Sequence, residues 1–297
     1  MMFIIKKRIM LIAGVILFLV FLMLQPAKAM EGVKQGLVLW YQVVLPSQLP
    51  FVVCINLLLQ LQNFFCMPPR IFTFISGMIS GYPVGSMTAA QLFQQKQIPR
   101  DEVTALAALC NMAGPLFVIG TLGVGLLENV YYGYMLLLIQ WAGAAVLTLL
   151  FTHRRFRIQN KRHPAKRENQ TLPAALPQAG LGRLLGDAVG NAAELMLKVA
   201  GFIALFSVML QWIPGYLGSF LEMTNGLRLI AVAKLPIKWK LTACSFLLNF
   251  SGLCVILQSL SAAEKAPVAA GRYVMLKILQ GGTAAAMTLV ICQILGM

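Results

Sequence analysis

"SGMISGYPVGSMTAAQLF", residues 76–93, sets Gly77, Gly81, Pro83 and Gly85 into a run that is otherwise apolar enough to lie in a membrane. In a helix interior glycine costs about 1 kcal/mol and proline about 3 kcal/mol relative to alanine. No continuous span would choose them four times in so short a stretch. The backbone is expected to break here, and the rest of the chain says what kind of protein carries the break.

The 297 residues are 59% hydrophobic and only 11% charged, with a mean hydropathy of +0.79. A soluble domain carries about 25% charged residues. The apolar excess falls in blocks of about twenty residues, enough to cross a ~30 Å hydrocarbon core at ~1.5 Å per helical residue. The fold class is therefore an all-α polytopic membrane protein with about eight hydrophobic segments, placed in the cell membrane with lipids as its surroundings.

The net charge of +15 does not point to nucleic acid, because eight of the 24 Lys and Arg sit in "HRRFRIQNKRHPAKRENQTLPAALPQAGLGR", residues 153–183. A basic, proline-containing segment beside a span reads as a cytoplasmic loop under the positive-inside bias. Anionic head groups are a secondary contact for it. Apart from Phe156 it lacks the aromatic residues that stack on bases. The six cysteines (Cys54, Cys66, Cys110, Cys244, Cys254, Cys292) lie scattered in apolar sequence without CxxC spacing and read as small hydrophobes. His153 and His163 both fall in the basic loop, so neither a metal site nor a cofactor is implied.

Lys6-Lys7-Arg8, an apolar run from Ile9 to Leu24, and Ala27-Lys-Ala29 fit either a signal peptide or a first anchoring helix; a retained helix is favoured over 1–29. Spans are then expected at 36–61, interrupted by Pro46 and Pro50, and at 103–127, containing Asn111-Met-Ala-Gly-Pro115. Others follow at 130–152, 187–213, 241–260 and 273–295, with a short segment at 214–235. With 153–183 inside, Lys96, Arg100, Asp101 and Glu102 are inside, and so is Arg70. Both ends of 71–93 then share one side, which makes this stretch a re-entrant hairpin turned at Gly81-Tyr-Pro-Val-Gly85.

The second part of the chain echoes the first. Ser80-Gly81-Tyr82-Pro83-Val84 overlays Ser251-Gly252-Leu253-Cys254-Val255, and "CNMAGPLFV" falls at a spacing close to that of "QGGTAAAMTLV". This suggests two related halves, 30–152 and 184–297, on either side of the loop. Paired interrupted segments in matching positions point to a transporter's central site. Non-helical backbone at membrane depth is tolerated only where protein or a water-filled cavity satisfies it. The candidate binding residues are Ser80, Gly81, Tyr82, Pro83, Gly85, Asn111 and Pro115 in the first half, with Asn249, Ser251, Gly252 and Gln258 in the second. Thr88 is a further polar neighbour. The competing reading is that these polar groups merely bond neighbouring helices. Glu194 and Lys198, spaced for a helical ion pair, form a second candidate, although Lys198 can snorkel to the interface.

"SGYPVGSMTAAQLF" with "IPRDEVTALAALCNMAGPLFVIGTLGVG" resembles the nucleoside-recognition or Gate domain of concentrative nucleoside transporters, ferrous-iron transporters and spore-maturation proteins. Over residues 36–297 the chain resembles sporulation integral membrane proteins of the YlbJ type, through "VVLPSQLPF" at 43–51, "EMTNG" at 222–226, "NFSGLCVILQ" at 249–258 and "YVMLKILQGG" at 273–282. It departs from them in having Asn249-Phe-Ser-Gly252 where a glycine pair is expected, and in shorter loops. The resemblance implies a role late in endospore formation, moving a solute across a forespore membrane.

The leading expectation is a secondary-transporter-like permease for a small polar solute or ion, nucleosides being one candidate class. The alternative is a structural or assembly protein of the sporulation membrane. Self-association into a homo-oligomer is left open. An enzyme is disfavoured, since the chain lacks G-x-x-x-x-G-K-[ST], G-x-S-x-G and H-E-x-x-H. Asp101 and Glu102 suit the positive end of a helix dipole. Arg228, Lys234, Lys238 and Lys240 cluster before the second break, which sits badly with an inverted repeat: either 214–235 contains an extra crossing or the repeat is parallel.

Overall fold

The computed structural model describes residues 2–61, 67–159, 180–213 and 215–297, and every regular element among them is a helix. Helix α1 (Met2–Leu24) leads into α2 (Pro26–Leu39), whose start carries a proline where no intrahelical N–H bond is lost. Contrary to expectation, Pro46 and Pro50 do not interrupt the next span. The chain passes through a wide π-helical turn, Trp40–Val44, into α3 (Leu45–Gln60), giving an unbroken helix from Pro26 to Gln60. Such a turn absorbs the hydrogen bond that a proline just beyond it cannot make.

The quoted stretch breaks where its glycines predict. Helix α4 (Pro69–Ser80) ends at Gly81, which has φ +86°, and α5 (Val84–Gln94) starts after Pro83. Twelve and eleven residues reach only ~16–18 Å each, about half a bilayer. The two helices fold back against one another, as a hairpin must. Helix α6 (Arg100–Leu109) follows, and the chain then runs without helix through Asn111–Gly114 before a π-helix, Leu116–Leu126. The expected single span over 103–127 is thus two short pieces joined at Asn111. Helix α7 (Val130–Gln159) follows, its Val130–Thr152 part long and apolar enough to cross a membrane. Most of the basic loop, residues 160–179, lies outside the described residues, as do Cys66 and His163.

Helix α8 (Leu181–Leu210) packs on α2 and α3. At Gly32 an added Cβ would come within 2.7 Å of the Val208 backbone, and at Gly36 within 2.8 Å of Ala204, so glycine sets this close approach. Short helices α9 (Tyr216–Leu221) and α10 (Met223–Val232) precede α11 (Ile237–Phe250) and α12 (Gly252–Ala262). The expected span 241–260 is split at Ser251 and Gly252, whose φ values are +79° and +74°. Unlike α4 and α5, α11 and α12 barely touch each other. Instead α11 runs along α13 (Ala270–Ile294), while α12 packs on α5 and α8.

Among the described residues, five helical stretches are long and apolar enough to cross a membrane: Pro26–Gln60, Val130–Thr152, Leu181–Leu210, Ile237–Ala262 and Ala270–Ile294. One buried cluster joins α3, α5, α6, α8 and α13 through Val52, Leu92, Leu106, Met196 and Tyr273. Another joins the second π-helix, α7, α10 and α11 through Leu122, Leu136, Leu227 and Leu248. Leu138, Leu149, Leu197, Ile278 and Val290 face outward, an apolar exterior suited to lipid rather than water.

Candidate functional site

Every interruption creates backbone groups that need partners. The end of α6 is the clearest case. A Cβ at Gly77 or at Gly85 would collide with the Cys110 carbonyl, so α4, α5 and the end of α6 meet at glycine-only contacts. Three residues on, the amide of Gln140 on α7 clamps Ala113 twice, donating to its carbonyl at 2.9 Å and accepting from its N–H at 3.3 Å. Gly81 sits directly on Gly114, where an added Cβ would approach its nitrogen to 2.8 Å.

Within this framework Asn111, 0% exposed, is the hub. Its amide donates to Ser259 Oγ on α12 at 2.7 Å and to the Tyr273 hydroxyl on α13 at 3.0 Å. Its backbone carbonyl accepts from Lys277 Nζ at 3.0 Å. Lys277, also 0% exposed, donates again to Gln280 Oε1 at 2.8 Å, and Gln280 reaches the Leu109 carbonyl at 3.2 Å. Ser86 on α5 donates to the Ala107 carbonyl at 2.7 Å and lies 3.4 Å from the Tyr273 hydroxyl. Residues from distant parts of the sequence therefore share one buried polar network.

Tyr82, at the tip of the hairpin and joined to Pro83 by a cis peptide, lies beside this network. Its hydroxyl donates to the Leu248 carbonyl on α11, and its ring centroid is 5.7 Å from Lys277 Nζ. On another side of Tyr82 is a cavity of about 40 Å³ lined by Gln48, Gly114, Glu222, Thr224 and Gln258 among others. That volume accommodates a water molecule, not a solute. Glu222 caps α10 by accepting from the Thr224 and Asn225 N–H groups.

The expected site residues divide as follows. Ser80, Gly81, Tyr82, Gly85 and Asn111 gather around the end of α6, and Pro115 opens the π-helix that leaves it. Gln258 joins Tyr82 at the cavity. Asn249 bonds back to the Ser245 carbonyl on its own helix, and Ser251 and Gly252 form the turn after it. This turn is tied to the first break at Tyr82, whose hydroxyl bonds to the Leu248 carbonyl and also pairs with the Ser251 side chain. Buried oxygens without a hydrogen-bond partner remain on Ser80, Thr88, Asn111 Oδ1, Ser245 and Asn249 Oδ1. Native interiors carry few such groups, and each marks strain, an ordered water or a place for a ligand.

Glu194 and Lys198 pair at 2.9 Å but stay largely exposed on α8. They line a polar cleft of about 220 Å³ at the far ends of α5 and α12, with Gln91, Gln94, Glu264 and Lys265. They do not belong to the Asn111 centre. Glu102, in the first turn of α6 as expected, is buried and held by Arg70 through two bonds of 2.7 Å. The residues missed from sequence are Lys277, Tyr273, Gln280, Gln140, Ser86 and Ser259. Lys277 had a signal, a lone charge in the apolar run of α13.

A helical membrane protein whose broken helices close around a buried polar centre is the class these features define. The chain is 30% identical to the sporulation integral membrane protein YlbJ of Bacillus subtilis (strain 168), over an alignment of 336 positions that covers 94% of this chain and 82% of that protein. It belongs to that family of sporulation integral membrane proteins. No protein-family model matches the chain, and no solved structure matches it.

Proposed function

We propose that the chain is a secondary-transporter-like permease for a small polar solute, nucleosides being one class to test, and that it acts in endospore formation. In this reading 30–152 and 184–297 are related Gate-like halves, the basic segment 153–183 is cytoplasmic, and the solute site forms where the halves meet. One observation carries the reading. The break at Asn111 bonds directly to Ser259, Tyr273 and Lys277 of the second half, deep in the bundle. Interrupted helices with buried polar groups between them are how transporters place a site at membrane depth. The present arrangement, with a cavity of about 40 Å³, corresponds to a closed state of such a cycle.

The test is thermal stability of the purified full chain in detergent against nucleosides, nucleobases, amino acids, dicarboxylates and divalent ions. Ligand binding to the folded state stabilises it by about 2.7 kcal/mol at a hundredfold excess over Kd. The expected result is a shift for one ligand class that disappears in Asn111→Ala and in Asn249→Ala. No shift for any class, with both variants as stable as the parent, would make the protein a structural or assembly component of the sporulation membrane.

A further inference from the structure

We infer that Lys277 is a tethered cation filling a cation-binding site, held where a free alkali ion would otherwise sit at the broken end of α6. Its amine lies at that helix's C-terminus, where unpaired carbonyls concentrate negative charge. Its partners are the Asn111 carbonyl at 3.0 Å and Gln280 Oε1 at 2.8 Å, and the Tyr82 ring closes another side with its centroid 5.7 Å away. No carboxylate is among them. Neutral carbonyl and amide oxygens from unwound backbone and a half-helix end are the ligand chemistry used for monovalent cations within membranes. Asn111 Oδ1, on the residue that supplies the backbone carbonyl, is a further buried oxygen with no partner. A lysine is an economical occupant, because covalent attachment removes the entropy of capturing an ion. It also makes the occupant impossible to release. Resting on the permease reading, this means that transport runs without a sodium or potassium gradient.

The deciding experiment compares melting temperatures of the full chain in detergent in sodium, potassium and choline chloride at equal ionic strength. The parent should melt alike in all three. Lys277→Ala should melt lower in choline and recover, saturably, in sodium or potassium. Lys277→Met fills the same space without a charge and leaves two oxygens without their donor, so it should melt below the parent whatever the salt. A monodisperse Lys277→Ala protein that does not distinguish alkali ions from choline would overturn the inference. So would a Lys277→Met protein that melts above the parent, as happens when an uncompensated buried charge is removed. The Met variant decides alone if the Ala variant does not fold. Because no solute enters these measurements, a ligand panel without hits removes the permease reading and leaves the tethered cation standing, and the converse also holds.

Discussion

A methyl group at Gly77 or Gly85 would land on the Cys110 carbonyl, which belongs to backbone and cannot rotate away. Gly77→Ala and Gly85→Ala should therefore each cost about 1–3 kcal/mol through overpacking, read as a lower midpoint in detergent melts. Gly186, within α8, has nothing inside 4 Å of its added Cβ. Gly186→Ala should leave stability unchanged or raise it by up to about 1 kcal/mol. The contrast isolates contact from composition, since all three are glycines in helices. Asn111 drew attention beforehand as a carboxamide three residues before Gly114-Pro115 in an apolar run, a position that suits a helix-bonding group as well as a site. Its partners did not. Lys277 bonds to a main-chain carbonyl, a group every residue carries, so the sequence holds no mark of which one it meets.

Arg70 near the start of α4 and Glu102 in the first turn of α6 tie together two helices that are each too short to be anchored by lipid alone. Arg70→Met would leave a buried carboxylate without its guanidinium partner and should cost about 3 kcal/mol. Lys198→Met, which breaks a solvent-exposed pair on α8, should give no measurable change in the same melt. The hairpin formed by α4 and α5 makes a topological prediction as well. With Cys54 and Cys66 replaced by serine, single cysteines introduced as Met67→Cys and Lys96→Cys should react with an impermeant maleimide from the same face of the membrane. Opposite faces would mean a true crossing. Glycine and proline spacing revealed the first break and its echo at Ser251-Gly252 marked the second, because backbone freedom is a local property. Pro46 and Pro50, by contrast, predicted an interruption that the helix does not make. Whether the two arms of a break then pack on each other is decided by what else lies beside them. α4 and α5 close up, while α12 makes little contact with α11 and lies on α5 and α8.

Across the whole molecule the two breaks communicate through few direct bonds, one being from the Tyr82 hydroxyl to the Leu248 carbonyl. Tyr82→Phe should cost about 1 kcal/mol in stability, and if the permease reading holds it should alter ligand affinity without altering expression. An all-helical membrane protein was readable from composition alone, and the family from short motifs. The number of crossings was less readable. Hydropathy counts apolar length, whereas α4, α5, α6 and the second π-helix are separate pieces of 12, 11, 10 and 11 residues, each too short to cross alone. A window of hydrophobicity cannot distinguish a helix that crosses from two that meet.

The lateness in the chain of α8 and α12, which cover α5, has a consequence for how the protein is made. α4, α5 and α6 leave the ribosome before either cover exists, and none of them is long enough to be released into lipid as a span. They must wait at the translocation machinery or at the membrane surface until the C-terminal third of the chain has been synthesised. Insertion is therefore post-dated. A nascent chain stalled after α7 should leave this stretch open to protease, and completion of α13 should close it.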